Sequence, residues 1–248
     1  AIVLLPFARP NSAPWWIGTV AATLALFTMG SGLLAAAVVL VVMGFRLLRR
    51  ETDFRTAWPA LAVSAALVAA GALTRIEVSY HDHMKAKTLH DFFFSLVHSL
   101  QWPVPSGYDW LAALLWLPWL LAALSVLRRR ADFSPPSASS STSSVTGQII
   151  VALGGWVLVQ LLATAYARGA GAGFPASRYM DTLTFGAMVN ALCLAWLIAS
   201  AATTTLRSTL PRLGFALLWC APLAFGLHYL TRLNLREEMP ATRRYYDK

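Results

Sequence analysis

Apolar stretches long enough to cross a bilayer, several of them closed by arginines, dominate this chain. A spanning helix needs roughly twenty apolar residues, because each advances about 1.5 Å through a hydrocarbon core about 30 Å thick. Residues 15–45, 57–74, 110–127, 147–166, 182–206 and 213–230 meet or approach that length with almost no charge inside them. The first run is long enough to cross with tilt, and the alanine-rich second is suited to close packing against neighbours. The reading is an all-α, polytopic helical membrane protein with about six transmembrane helices. Composition agrees. Of 248 residues 57% are hydrophobic and 12% charged, about half the roughly 25% charged of a soluble domain. With only 2 cysteines, a disulfide framework is excluded.

The chain carries 20 Lys+Arg against 11 Asp+Glu, a formal charge of +9. In a soluble protein that excess points to nucleic acid. Here the arginines close the apolar runs, at Arg46 to Arg55, at Arg128 to Arg130 and at Arg207 to Arg212. They therefore read as orientation signals, and no nucleic-acid partner is expected. With those turns cytoplasmic, 75–107, 167–179 and the tail 231–248 lie outside, as does the start of the chain. Ala1 to Pro10 has no signal-peptide pattern, so an upstream segment with further spans is expected.

This order divides the chain into a three-span unit, 1–133, and a second, 147–230. Between them 134–146 is rich in Ser and Pro and reads as a flexible cytoplasmic linker. Inside the outer loop, 89–102 is amphipathic. Leu89, Phe93, Leu96, Val97 and Leu100 recur at helical spacing, while Asp91, Ser95 and His98 line the opposite face. It is too short to span, and reads as an interfacial helix or a roof over the bundle, with a re-entrant segment as the alternative.

Two clusters carry chemistry-bearing side chains. The first is Arg75, Glu77, Tyr80, His81, Asp82 and His83, followed by Lys85, Lys87, His90 and Asp91. Asp82 can serve as a general base beside His83, and His81 and His83 offer nitrogens to a divalent cation. A merely solvated polar loop explains the same residues. The second is Ser177 to Asp181, where Arg178 has the planar fork that grips phosphate and Asp181, three residues on, can pair with it. An interfacial anchor with a local ion pair explains it equally. Gln160, Asn190 and His228 are polar at membrane depth and read first as interhelical hydrogen-bonding groups. Gly30, Ser31 and Gly32 read as a close-packing notch. No phosphate-binding glycine loop, dinucleotide fingerprint or nucleophile elbow occurs.

The order of features resembles the C-terminal half of bacterial multi-span proteins of the GT-C glycosyltransferase type. The residues that carry the resemblance are Trp15-Trp16 leading to Thr28 through Leu34, the outer helix ending at Gln101-Trp102-Pro103, and Ser177-Arg178-Tyr179 with Asp181 and Asn190. The resemblance implies a bacterial inner-membrane protein that takes sugar from a polyprenyl-phosphate donor on the outer face, with the main catalytic acid upstream of Ala1. For the mechanism it implies, Arg178, Tyr179, Asp181 and Arg75 are the candidates to bind the lipid phosphate, and Asp82 and His83 are candidates to position the acceptor or assist through a cation, although the resemblance itself carries no role over to these two. A non-catalytic scaffold and a flippase of lipid-linked sugar are the other readings.

Overall fold

The computed structural model describes residues 1–28, 32–74, 79–128, 138–170, 179–200 and 209–240. Among them the chain forms α1 (Ala13–Thr28), α2 (Gly32–Leu48), α3 (Phe54–Leu73), a 3₁₀ turn (Ser79–Met84), α4 (Leu89–Leu100), α5 (Leu111–Arg128), α6 (Ala138–Arg168), α7 (Met180–Ser200) and α8 (Thr209–Leu233), with a π turn at Asn234–Glu238. There is no strand among the described residues. Five helices, α3, α5, α6, α7 and α8, contain stretches long and apolar enough to cross a membrane, and α1 and α2 are shorter apolar helices. The protein is an all-α, multi-pass membrane protein.

The first apolar run departs from expectation. Instead of one tilted span, 15–45 supplies two antiparallel helices of 16 and 17 residues. At one end Gly32 presses on the backbone of Ala25 so closely that a Cβ could not be accommodated. At the other, the Arg46 guanidinium donates to the Pro6 carbonyl. The physical reason is length: a single helix of about thirty residues would run about 45 Å, well beyond the hydrocarbon core, whereas each half fits it. Gly30 and Ser31 lie outside the described residues, but Gly32 does act as the notch expected of it, since only a hydrogen side chain permits this approach. Four apolar helices, not three spans, therefore precede residue 134. The correction extends to topology, because the start of the chain lies at the same end as Arg46, not at the opposite one.

α3 packs along α2 through small side chains. Ala57, Ala60 and Ser64 are buried, and Gly71 sits against Leu33 and Leu26, joining the three helices at the far end. The lipid-facing surfaces are correspondingly greasy: Ile17, Leu24 and Phe27 on α1 and Leu213, Leu217, Leu218 and Phe225 on α8 are exposed. In water such a patch would aggregate, whereas in lipid it costs nothing.

α6 begins at Ala138, inside the segment expected to be a linker. Serine is only a moderate helix former, yet once 145–168 has nucleated, each added residue gains a hydrogen bond, and no proline follows Pro136 to stop the helix.

The arginine-rich ends of α2 and α5 meet. Arg49 donates to the carbonyls of Val126 and Leu127 at 2.9 and 2.8 Å, which lack intrahelical partners at the end of α5. Glu51 lies 3.8 Å from Arg46 and 3.6 Å from Arg49, and its carboxylate accepts from Gln148 Nε2 of α6 at 2.7 Å. Three helices are thus tied together at this basic end. Arg212, near the start of α8, lies beside Leu121, Leu197 and Ile198. The opposite end carries the 3₁₀ turn, α4, the C-terminus of α6 and the N-terminus of α7.

Candidate functional site

The end opposite the arginines collects the described members of both chemical clusters. α4 closes over it. Thr88 and Asp91 form a capping box: the Thr88 hydroxyl accepts from the Asp91 N–H at 3.1 Å, and the Asp91 carboxylate accepts from the Thr88 N–H at 3.1 Å and the Lys87 N–H at 3.2 Å. Hydrogen bonding by Thr88 is the main cause that holds the Asp91 carboxyl below its ordinary range, opposed by slight desolvation.

The orientation of α4 suits a membrane boundary. Ser95, His98 and Ser99 are turned into the bundle, while Leu89, Phe93 and Phe94 are exposed. Two of these side chains bond within the helix: Ser99 donates to the Ser95 carbonyl at 2.9 Å, and a His98 ring nitrogen lies 2.8 Å from the Phe94 carbonyl. Leu96 and Leu100 pack against Val157, Leu161 and Leu183 of α6 and α7. The helix packs over the ends of α6 and α7 as a roof with an aromatic outer edge.

Below the roof, the 3₁₀ turn is pinned to α6. Ala86 N–H donates to the Tyr166 carbonyl at 2.9 Å, Ala170 N–H donates to the Met84 carbonyl at 3.1 Å, and the Arg168 guanidinium contacts the Met84 sulfur. The turn presents Asp82, 60% exposed, whose carboxylate is 2.6 Å from Lys85 Nζ. His83 is exposed beside it. Asp181 is exposed in the first turn of α7, where a carboxylate complements the positive helix end, and Tyr179 precedes it, half-buried. Arg75 and Arg178 lie outside the described residues, as does the side chain of His81. Among the described residues no group of three or more His, Cys, Asp or Glu side chains is placed to hold a metal ion.

The pairing of Asp82 with Lys85 is the feature of this end that sequence reading passed over, although their spacing on a helical turn brings them to one face. It leaves an exposed carboxylate whose negative charge is already set beside a cation, next to an imidazole that can carry a proton. Such a pair can orient a hydroxyl group.

A second polar centre lies inside the bundle. Pro118 interrupts α5 and supplies no N–H to its hydrogen-bond ladder. Here Asn190 of α7 accepts from the Trp119 N–H at 3.1 Å and donates to the Gly186 carbonyl at 3.0 Å. Trp219 Nε1 of α8 donates to the Leu115 carbonyl at 3.0 Å, and Trp119 Nε1 to the Val151 carbonyl of α6, also at 3.0 Å. Asn190 is thus interhelical glue, as its residue type suggests.

No protein-family model, curated protein or solved structure matches this chain.

Proposed function

We propose that the chain is the membrane-embedded part of a bacterial inner-membrane enzyme that transfers sugar from a polyprenyl-phosphate donor at the outer face. The observation that carries this reading is the segregation of the two ends. Arginines Arg46, Arg49 and Arg128 gather at one end, which the charge rule assigns to the cytoplasm. Asp82, His83 and Asp181 stand at the other, beside a roof helix whose exposed Phe93 and Phe94 suit headgroup depth. A substrate arriving laterally on a lipid tail would meet charged groups at that level.

The transfer forms a bond from the acceptor oxygen to the sugar's anomeric carbon and breaks that carbon's bond to the phosphate oxygen. The acceptor's proton passes to a carboxylate, and the departing lipid phosphate takes the electron pair. In this reading Arg178, with Arg75, neutralises that phosphate. Tyr179 and Asp181 position it, and Asp82 with His83 orients the acceptor. The test is sugar transfer by the full-length protein in proteoliposomes supplied with polyprenyl-phosphate sugar. Arg178→Ala and Asp82→Asn should each abolish most transfer while leaving insertion intact. Undiminished transfer in both variants removes this end from the reaction.

A non-catalytic scaffold is the second reading, favoured by the contacts already made by Asp82 with Lys85 and by Arg168 with Met84. It is the surviving reading if the full-length protein transfers no sugar yet its deletion disrupts assembly of a membrane partner.

A further inference from the structure

An apolar recess that opens toward lipid lies at the other end, between α2, α5 and α6. It has a volume of about 360 Å³ and is walled by Val38, Val42 and Phe45 on one side and by Ala123, Val151 and Gly155 on the others. Val41 on its edge is 71% exposed, so the recess is open sideways to the bilayer. At Gly155 an added Cβ would meet nothing within 4 Å. The groove runs from Val38 near mid-helix to Phe45, Leu127 and Gln148 at the basic end.

Its mouth is positively charged. Arg49 lies 5.1 Å over the ring of Phe45 and bonds the carbonyl of Leu127, both of which line the groove. Arg50 and Arg128 are exposed next to these residues. Glu51 is taken up by Arg46, Arg49 and Gln148, so it does not pair with the exposed Arg50 and Arg128. A slot that is apolar along its length and open to lipid takes an acyl chain, and guanidinium groups near its mouth take a phosphate.

We propose that this groove binds one acyl chain of an anionic phospholipid of the host membrane, with the headgroup phosphate held by Arg50 and Arg128. The site is at the opposite end of the bundle from the proposed transfer reaction and does not depend on it.

The test is lipid retention by the full-length protein purified in detergent, mixed with phosphatidylglycerol or phosphatidylcholine of identical chains and read by native mass spectrometry. Wild type should retain phosphatidylglycerol in preference to phosphatidylcholine. Arg50→Gln and Arg128→Gln should each weaken phosphatidylglycerol about fivefold, the effect expected of one basic residue near an anionic lipid, and weaken the zwitterionic phosphatidylcholine less. Gly155→Leu should abolish retention of both lipids, while Gly44→Leu, where the space is also open but the groove is not lined, should retain them. Equal retention of the two lipids by wild type, or unchanged retention in Gly155→Leu, overturns the proposal. Should Gly155→Leu fail to fold, a phosphatidylglycerol with a photoreactive acyl chain at stoichiometric amounts decides: crosslinks must map to the groove walls of α2, α5 and α6, and crosslinks elsewhere overturn it.

Discussion

The side-chain oxygen of Asn190 accepts a hydrogen bond from the backbone N–H of Trp119, 71 positions earlier in the chain, at 3.1 Å. The bond sits beside Pro118, and through it α7 gives the neighbouring Trp119 N–H an acceptor. Asn190→Leu should therefore cost about 1–2 kcal/mol, the upper range for an interhelical hydrogen bond in a membrane. Pro118→Ala should lessen that cost, since a regular helix returns the Trp119 N–H to its own ladder. Thermal unfolding of both single variants and the double variant in detergent measures the coupling. Strict additivity would show that the two residues act independently.

The capping box of α4 makes the roof pH-dependent. The Asp91 carboxyl is held below its ordinary range, chiefly through Thr88. A depressed carboxylate stabilises the fold at pH above its unfolded value, and that contribution is lost as pH falls through the folded value. Protection from amide hydrogen exchange across 89–100, corrected for the intrinsic pH dependence of exchange, should fall below about pH 4, where aspartate normally titrates. Asp91→Asn should flatten this dependence.

Glycines differ by what surrounds them. Gly32→Val drives side-chain atoms into the backbone of Ala25 and should cost about 1–3 kcal/mol or more through forced separation of α1 and α2. Gly44→Ala meets open space and should be neutral or stabilising by about 0.5–1 kcal/mol. Melting temperatures of the two variants in one detergent test the contrast.

Arg49 has two carbonyls and one carboxylate to satisfy. Arg49→Lys should rescue little of the stability lost in Arg49→Ala, because an ammonium lacks the planar fork that reaches adjacent acceptors. Comparison of the two variants by chemical unfolding checks this, and full rescue by lysine would show that charge alone matters.

The antiparallel pairing of α1 and α2 gives a topological prediction. Cysteines introduced at Ser12 and Arg50 should react with a membrane-impermeant maleimide from the same side, and those at Asp82 and Asp181 from the other. Labelling of Ser12→Cys from the side of Asp82 would contradict the pairing.

Hydropathy and arginine placement revealed the membrane class and which turns share an end, because both are local properties of each run. The division of 15–45 was less visible, since the run is apolar throughout and only its length and glycines separate one bent span from two helices. The serines after Ala138 misled in the other direction: composition suited a linker, while helix propagation from the following apolar segment decided the backbone. At the candidate site, Asp82 and Lys85 were close enough in sequence for their contact to be read from spacing. The partnership of Asn190 with Trp119 was not, because the 71 positions between them leave no local spacing from which the contact could be read.

The knot of side chains around Glu51 also has a consequence for the order of synthesis. Arg49 and Glu51 emerge with α2, yet the carbonyls of Val126 and Leu127 arrive only with the end of α5, and Gln148 later still with α6. Because the chain is made from its N-terminus, Arg49 and Glu51 can pair with each other at once, but meet their partners on α5 and α6 only after those segments have been made. The basic end is a latch that engages late, so early helices can adjust against one another before their relative positions are secured.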